Sequence, residues 1–425
     1  MKNLLIIHLE SLNRNNFLLN RNMFPFISEI EAHSVSFQRY FSTATSTLMT
    51  IGDLLYGGMD QYETAETLDD VPENYVYKSS LMDDLKSLGY HTGIYVYPDG
   101  NNRESAEEKH LAGFQNQMLL KRDYQEYLDA FSEGMKKPPF ALMSCDYISN
   151  SSFNKYALEG DEYDGFKKWD AGYRAMDEHV QDLFELLEKN GVSDSTVVLF
   201  YGDHGDDYWT HAFRCGMTHA IEPNALLTHT PFFVHDPQMC GKGITDYDTL
   251  LSAVDVRKLV MDTLDPQKNW LHELKRTGRK YVFSRSAYAA QPIGNTRYFK
   301  GYAVCDGTYL LLVSPEGMAM YHILMDSDCH NNLLSHFYIE DGRLVDDLSD
   351  PEYYPEAIWG FWREPTRRKV RQTFYFLKEI LYKETLRTYM VGGRSEESMN
   401  EEMDFAHITG RQDIGEPVGS RRTDV

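Results

Sequence analysis

The chain alternates short, uninterrupted apolar runs with longer stretches of helical periodicity. Runs at 4–9, 92–97, 140–143, 196–201 and 231–234 have the length of buried strands and lack the polar alternation of a half-exposed sheet. Between them, 79–88 and above all 173–189 repeat apolar residues at helical spacing. In the longer stretch Met176, Val180, Leu183, Phe184 and Leu187 share one face, and Gly191 follows its end. Strand–helix alternation predicts an α/β fold, a three-layer sandwich around a mostly parallel sheet. Such folds carry their chemistry at the carboxyl ends of strands.

The pattern changes near residue 275. Runs at 280–285, 297–304, 309–313 and 318–323 are cut by Gly, Pro and Asp turns and predict a small antiparallel sheet. The expected division is a main α/β domain over 1–275, an antiparallel subdomain of the same fold over 276–362, an amphipathic helix over 363–391 and a flexible polar tail over 392–425. In the helix, Phe374, Leu377, Ile380 and Leu381 form an apolar stripe. Arg367, Arg368, Lys369 and Arg371 give it a basic start, which suits either packing on the main domain or an anionic membrane surface.

Composition narrows the function. Among 425 residues, Lys+Arg 42 against Asp+Glu 65 leaves a net charge of −23, a surface that repels nucleic-acid backbones. No apolar run is long enough for a transmembrane helix. The five cysteines form no C-x-x-C pair, which argues against a disulfide framework or a structural zinc site. The first strand begins directly after Met1-Lys2-Asn3, too early for a signal peptide to precede it. The expected location is cytoplasmic. Oligomeric state is not legible.

Three segments hold candidate chemistry. The run 196–202 ends at Gly202 and is followed by Asp203, His204 and Gly205, a carboxylate and an imidazole that can enter one metal shell, with a glycine that permits a sharp turn. Glu10 ends the first apolar run; alone it reads equally as a helix cap. A hydroxyl-rich stretch at 42–47 leads into a short helix closing at Gly57-Gly58. Hydroxyls there serve as caps or as a nucleophile, and the helix start favours an anion.

These segments, in this order, resemble the alkaline phosphatase/sulfatase superfamily, and in site pattern its phosphoethanolamine and glycerol-phosphate (lipoteichoic-acid synthase-like) transferases. LLIIHLESL at 4–12 is similar to the opening strand and first metal ligand. The 24–37 stretch looks like the family's following helix and strand. Residues 47–57 match the nucleophile helix without gaps, and 173–206 match the long helix running into Asp-His-Gly. His219 falls where the family keeps a substrate-facing His, and 309–333 resemble the closing hairpin. The resemblance covers most of the chain. It implies that Glu10, Thr47, Asp203 and His204 hold one divalent metal, Zn or Mn, with a second metal possible. It implies Thr47 as nucleophile toward phosphorus, His219 as a substrate-binding and proton-donating residue, and His211 as a further substrate or metal contact. Carboxylate, imidazole and hydroxyl donors suit Zn²⁺ or Mn²⁺ better than Ca²⁺.

Departures from the family pattern sharpen this expectation. The sulfatase motif C/S-x-P-x-R is here Thr47-Leu48-Met49-Thr50-Ile51, and formylglycine cannot form from Thr. The opening strand offers one acid instead of a pair. Where relatives place a His after the 140–146 run, this chain has Tyr147-Ile148-Ser149-Asn150. The implied function is cleavage or transfer at a small-molecule or glycan phosphoester through a phospho-threonine. The alternatives are a sulfuric ester hydrolase without formylglycine, and a degenerate binding or scaffold member. Substrate specificity is expected in loops 99–117, 150–168 and 206–217.

Overall fold

The computed structural model describes residues 1–59, 78–97, 118–146, 165–207, 221–239, 241, 243–286, 300–347 and 364–409. Among these, eight strands build one sheet. They are β1 (Asn3–Leu9), β2 (Val35–Phe41), β3 (His91–Tyr97), β4 (Met118–Leu120), β5 (Phe140–Asp146), β6 (Thr196–Gly202), β7 (Phe232–His235) and β8 (Ile244–Ser252). Their order is β4-β3-β5-β1-β6-β7-β2-β8. All neighbours pair in parallel except at β7, which runs against both β6 and β2. The expected α/β architecture with a mostly parallel sheet is therefore what the chain adopts.

The central strands are apolar on both sides because helices cover both faces. Along β1, Leu5, Ile7 and Leu9 enter the core beneath helices Pro25–Ala32, Tyr124–Met135 and Gly165–Lys189. Leu4 and Ile6 face the opposite layer, with helices Thr47–Tyr56, Leu81–Ser87 and Val256–Leu264. One buried polar contact ties two helices of the first layer. Asp177, in the long helix, accepts from the backbone N–H of Phe26 and Ile27 at 3.1 and 2.8 Å. Those donors open a helix and have no partner within it.

The second sheet contains β9 (Val282–Arg285), β10 (Tyr302–Cys305), β11 (Tyr309–Ser314) and β12 (Gly317–His322) as an antiparallel meander, with a separate hairpin of β13 (Phe337–Glu340) and β14 (Arg343–Asp346). Its two faces are both buried. Val304, Leu311, Val313 and Met320 pack against Val370, Phe374, Leu377 and Leu381 of helix Glu364–Val391. Ala303, Leu310, Leu312 and Ala319 pack toward Phe41, Ala225 and Leu250 of the main domain. The amphipathic helix thus buries its stripe in the protein.

Several expectations need correcting. Strand β8 is absent from the apolar runs because it lies at an edge, and Asp246, Tyr247 and Asp248 interrupt its periodicity. The C-terminal stretch is not loose from residue 392 onward. Helix Glu396–Glu402 forms there. Met399, Met403 and Ile408 enter the core of the second sheet, and Met318 and His407 share a backbone hydrogen bond of 2.9 Å. A few apolar anchors among many charges suffice because a preformed apolar face receives them. Among the described residues, no helix is long and apolar enough to cross a membrane.

Candidate metal and nucleophile site

Two adjacent strands and one helix start converge at the carboxyl edge of the sheet. β1 pairs with β6 in register, Leu4 opposite Val197, Ile6 opposite Leu199 and His8 opposite Tyr201. Strand alternation then carries Glu10 and Asp203, one step beyond, toward the layer that holds helix Thr47–Tyr56. The turn after Glu10 is strained, with Ser11 at φ 57°, a left-handed conformation that costs a β-carbon-bearing residue roughly 1 kcal/mol. It is held by two bonds. The Ser11 amide donates to Asp203 Oδ1 at 3.1 Å and its hydroxyl donates to Glu10 Oε1 at 2.9 Å.

Thr47 opens its helix with the hydroxyl aimed at these groups. Thr47 Oγ1 lies 3.3 Å from each Glu10 carboxylate oxygen and 3.1 Å from His204 Nε2. His204 Nδ1 is 2.9 Å from Gly205 O. The Nδ1–H therefore donates to that carbonyl and leaves the Nε2 lone pair facing the site, the arrangement typical of a metal-bound imidazole. Asp203 Oδ2 is 3.3 Å from the same Nε2. Glu10, Thr47 and the adjacent pair Asp203-His204, three segments distant in sequence, lie side by side. All four are buried.

Apart from Ser46, the other hydroxyls of the loop are committed elsewhere. Ser42 bonds Ala44 O at 2.6 Å and Thr50 at 2.9 Å, Thr43 donates to Asp53 at 2.6 Å, and Thr45 donates to Ile221 O at 3.1 Å. Ser46 is the N-cap residue but makes no side-chain capping bond. The helix N-terminus consequently keeps its amides and positive dipole end available to an anion.

Gly205 has a different role from the one its sequence suggests. It does not adopt a positive φ. A β-carbon there would come within 1.9 Å of Leu226 O and 2.5 Å of Asn13 Cβ, so glycine is required by close approach of helix Ala225–Thr228 and not by a turn. Gly57 is the residue that needs the left-handed region. It ends helix Thr47–Tyr56 at φ 68° and donates its amide to Asp53 O.

His8 was missing from the sequence-derived set. It is fully buried, with Nε2 3.2 Å from both Glu10 Oε2 and Asp203 Oδ2. Burial opposes its protonation, but Asp203 and Glu10 outweigh that and push its pKa up to about 10. Burial would likewise raise the Asp203 carboxyl; His204 and His8 instead hold it well below the usual carboxylate range. Two buried carboxylates that share one charged imidazole between them fit a site built to hold a metal ion. His8, Glu10 and Asp203 offer ligand atoms within 4.8 Å of one another. The available signal was strand periodicity: His8 stands two residues before Glu10 and shares its face. His211 and His219 lie outside the described residues, as do residues 147–152 and most of the three loops expected to set specificity.

Comparison with known proteins bears on the fold. A sequence model of the Sulfatase family matches residues 167–266, from the long helix through Asp203 and His204. A 2-O GAG sulfatase, BT1596, superposes with a TM-score of 0.63 at 13% identity, over 95% of this chain and 95% of that one. The chain has the sulfatase fold. The phosphonate monoester hydrolase of Agrobacterium radiobacter shares the fold with a TM-score of 0.52 at 14% identity, covering 79% of this chain and 92% of its own. That of Silicibacter pomeroyi gives 0.53 at 12%, covering 82% and 99%. No curated protein matched the sequence. Glu10 and Thr47 lie outside the matched sulfatase segment, so their place in this sulfatase-fold site rests on the geometry alone.

Proposed function

We propose that the chain is a metal-dependent hydrolase or transferase acting at a phosphate ester, with Thr47 as nucleophile. The observation that carries this reading is the position of Thr47 Oγ1, at an uncapped helix start and within 3.1–3.3 Å of Glu10 and His204. A bound Zn²⁺ or Mn²⁺, held by Glu10, Thr47, Asp203 and His204, would lower the hydroxyl pKa and withdraw charge from ester oxygens. The protein's own contribution is placement. The helix amides of 47–49 would bind the anionic group, and the strained Ser11 turn fixes both carboxylates. Attack forms the Thr47 Oγ–P bond as the P–O bond to the leaving alcohol breaks. His219 would protonate that alcohol. Water or an acceptor alcohol then takes the phosphoryl group and restores the hydroxyl.

The substrate class is a small-molecule or glycan phosphoester, met in the cytoplasm. A threonine cannot be converted to formylglycine, which supports phosphorus over sulfur as the attacked centre. The test is a panel of aryl phosphate, phosphonate and sulfate esters with added Mn²⁺ or Zn²⁺, followed by mass spectrometry of the Thr47 peptide. Turnover of phosphorus esters with a phosphoryl adduct on Thr47 is the expected result. Turnover of sulfate esters alone would favour a sulfatase working without formylglycine. Stoichiometric absence of metal together with no turnover would favour a binding or scaffold role.

A further inference from the structure

The donor set named above leaves His8 unused. β1 projects Leu4, Ile6, His8 and Glu10 to one face, and β6 projects Val197, Leu199, Tyr201 and Asp203 beside them. His8 forms the floor of the site, stacked on Tyr201 with ring centroids 5.5 Å apart. Its Nε2 is equidistant, at 3.2 Å, from Glu10 Oε2 and Asp203 Oδ2. Asp203 Oδ2 lies 3.3 Å from His204 Nε2, which lies 3.1 Å from Thr47 Oγ1, which lies 3.3 Å from Glu10 Oε2. Five potential donors therefore close a ring in which every neighbouring pair is separated by 3.1–3.3 Å. Ligands on one ion with bonds of about 2.0–2.2 Å stand roughly 3.0–3.5 Å from their neighbours. Neighbouring members of the ring have that spacing, and His8, Glu10 and Asp203 keep their ligand atoms within 4.8 Å of one another, whereas His204 joins the ring through Asp203 and Thr47. An imidazole that only braced one carboxylate from behind would lie close to that carboxylate and away from the other.

We propose that His8 is a fifth protein ligand of the metal, an inference that rests on the metal-site reading above. The complete set is two imidazoles, two carboxylates and one hydroxyl. Nitrogen donors favour Zn²⁺ or Mn²⁺ over Mg²⁺ and Ca²⁺. In a six-coordinate ion, five protein ligands leave a single position for a substrate oxygen. That confines the ester to one orientation relative to Thr47.

The test uses the full chain loaded with Mn²⁺ and pulsed electron paramagnetic resonance, which detects nitrogen bound directly to the ion. The expected wild-type spectrum contains couplings from both imidazoles. His8→Gln and His204→Gln should each lose one, and calorimetry should show Mn²⁺ affinity falling roughly a hundredfold in His8→Gln. A wild-type protein that binds Mn²⁺ stoichiometrically with a single imidazole coupling overturns the assignment of His8 and leaves the four-residue site standing. Unchanged couplings in His8→Gln have the same meaning. A wild-type protein that binds neither Mn²⁺ nor Zn²⁺ overturns both readings. The wild-type spectrum decides even if His8→Gln fails to fold.

Discussion

Helix Thr47–Tyr56 has a buried charge cluster at each end, and the two are built on opposite principles. Near its carboxyl end, Asp53 meets Arg285 of β9 through two bonds of 2.8 and 3.0 Å. Thr43 donates to the same carboxylate at 2.6 Å, and Arg285 also reaches Met59 O at 3.3 Å. Each charge has its counter-charge within the protein, both side chains are almost wholly buried, and the pair clamps the second sheet to the helix. At the amino end, Glu10 and Asp203 face Thr47, His8 and His204. Their compensation is the proton on His8, which a metal ion can displace. A buried charge closed by a fixed arginine is structural. A buried charge closed only by a titratable proton is available for exchange with a ligand.

The contrast can be broken from either end. Thr47→Ala should lower turnover at least about ten-thousandfold, some 5 kcal/mol of transition-state stabilisation. Its melting temperature should stay close to wild type, as measured by calorimetry. If Ser46→Ala rather than Thr47→Ala abolishes turnover, the nucleophile has been assigned one residue too late. At the other end, Arg285→Met should cost about 3–5 kcal/mol in urea denaturation because it strands the Asp53 carboxylate. Adding Asp53→Leu should recover most of that loss. A single variant as stable as wild type would show that the clamp is not a closed pair.

Metal addition should separate the clusters next. At a hundredfold excess over Kd, Mn²⁺ or Zn²⁺ should stabilise the wild-type protein by about 2.7 kcal/mol, and a chelator should reverse it. Glu10→Gln should abolish the gain while changing metal-free stability by no more than about 1 kcal/mol. Equal stabilisation in wild type and Glu10→Gln would place the ion elsewhere.

The smallest effect concerns a histidine with no carboxylate beside it among the described residues. His229 stacks on Phe41 at 4.6 Å and its Nε2–H donates to Gln38 O at 2.9 Å. Burial first, and the Arg14 charge second, bring its pKa down to about 4, the reverse of His8. A lowered histidine pKa means the unfolded chain binds the extra proton first. Stability from His229 is therefore complete above about pH 6.5 and is lost as pH falls toward 4. Imidazole NMR should find His229 neutral at pH 5, and His229→Gln should flatten the acid limb of the stability curve. A His229 titrating near 6.5 would contradict this.

The sequence by itself determined the α/β class, the strand ends that carry Glu10 and Asp203-His204, and the helix that begins at Thr47. These are local signals: buried strands are long apolar runs, and a helix closing on Gly57 is set by its own left-handed cap. The edge strand β8 and the packed residues of 395–409 were not legible, since each depends on a partner surface that supplies most of its burial. Tertiary structure alone decided His8 and Arg285. Alternation puts His8 on the face of Glu10, but only the register of β1 against β6 sets it between two carboxylates. Arg285 is one charged residue at the end of a short strand until β9 docks on the main domain and Asp53 closes on it. Gly205 makes the same point in steric form. Its need for glycine comes from Leu226, brought beside it by the fold, because a contact between segments distant in sequence leaves no trace in the local pattern of either.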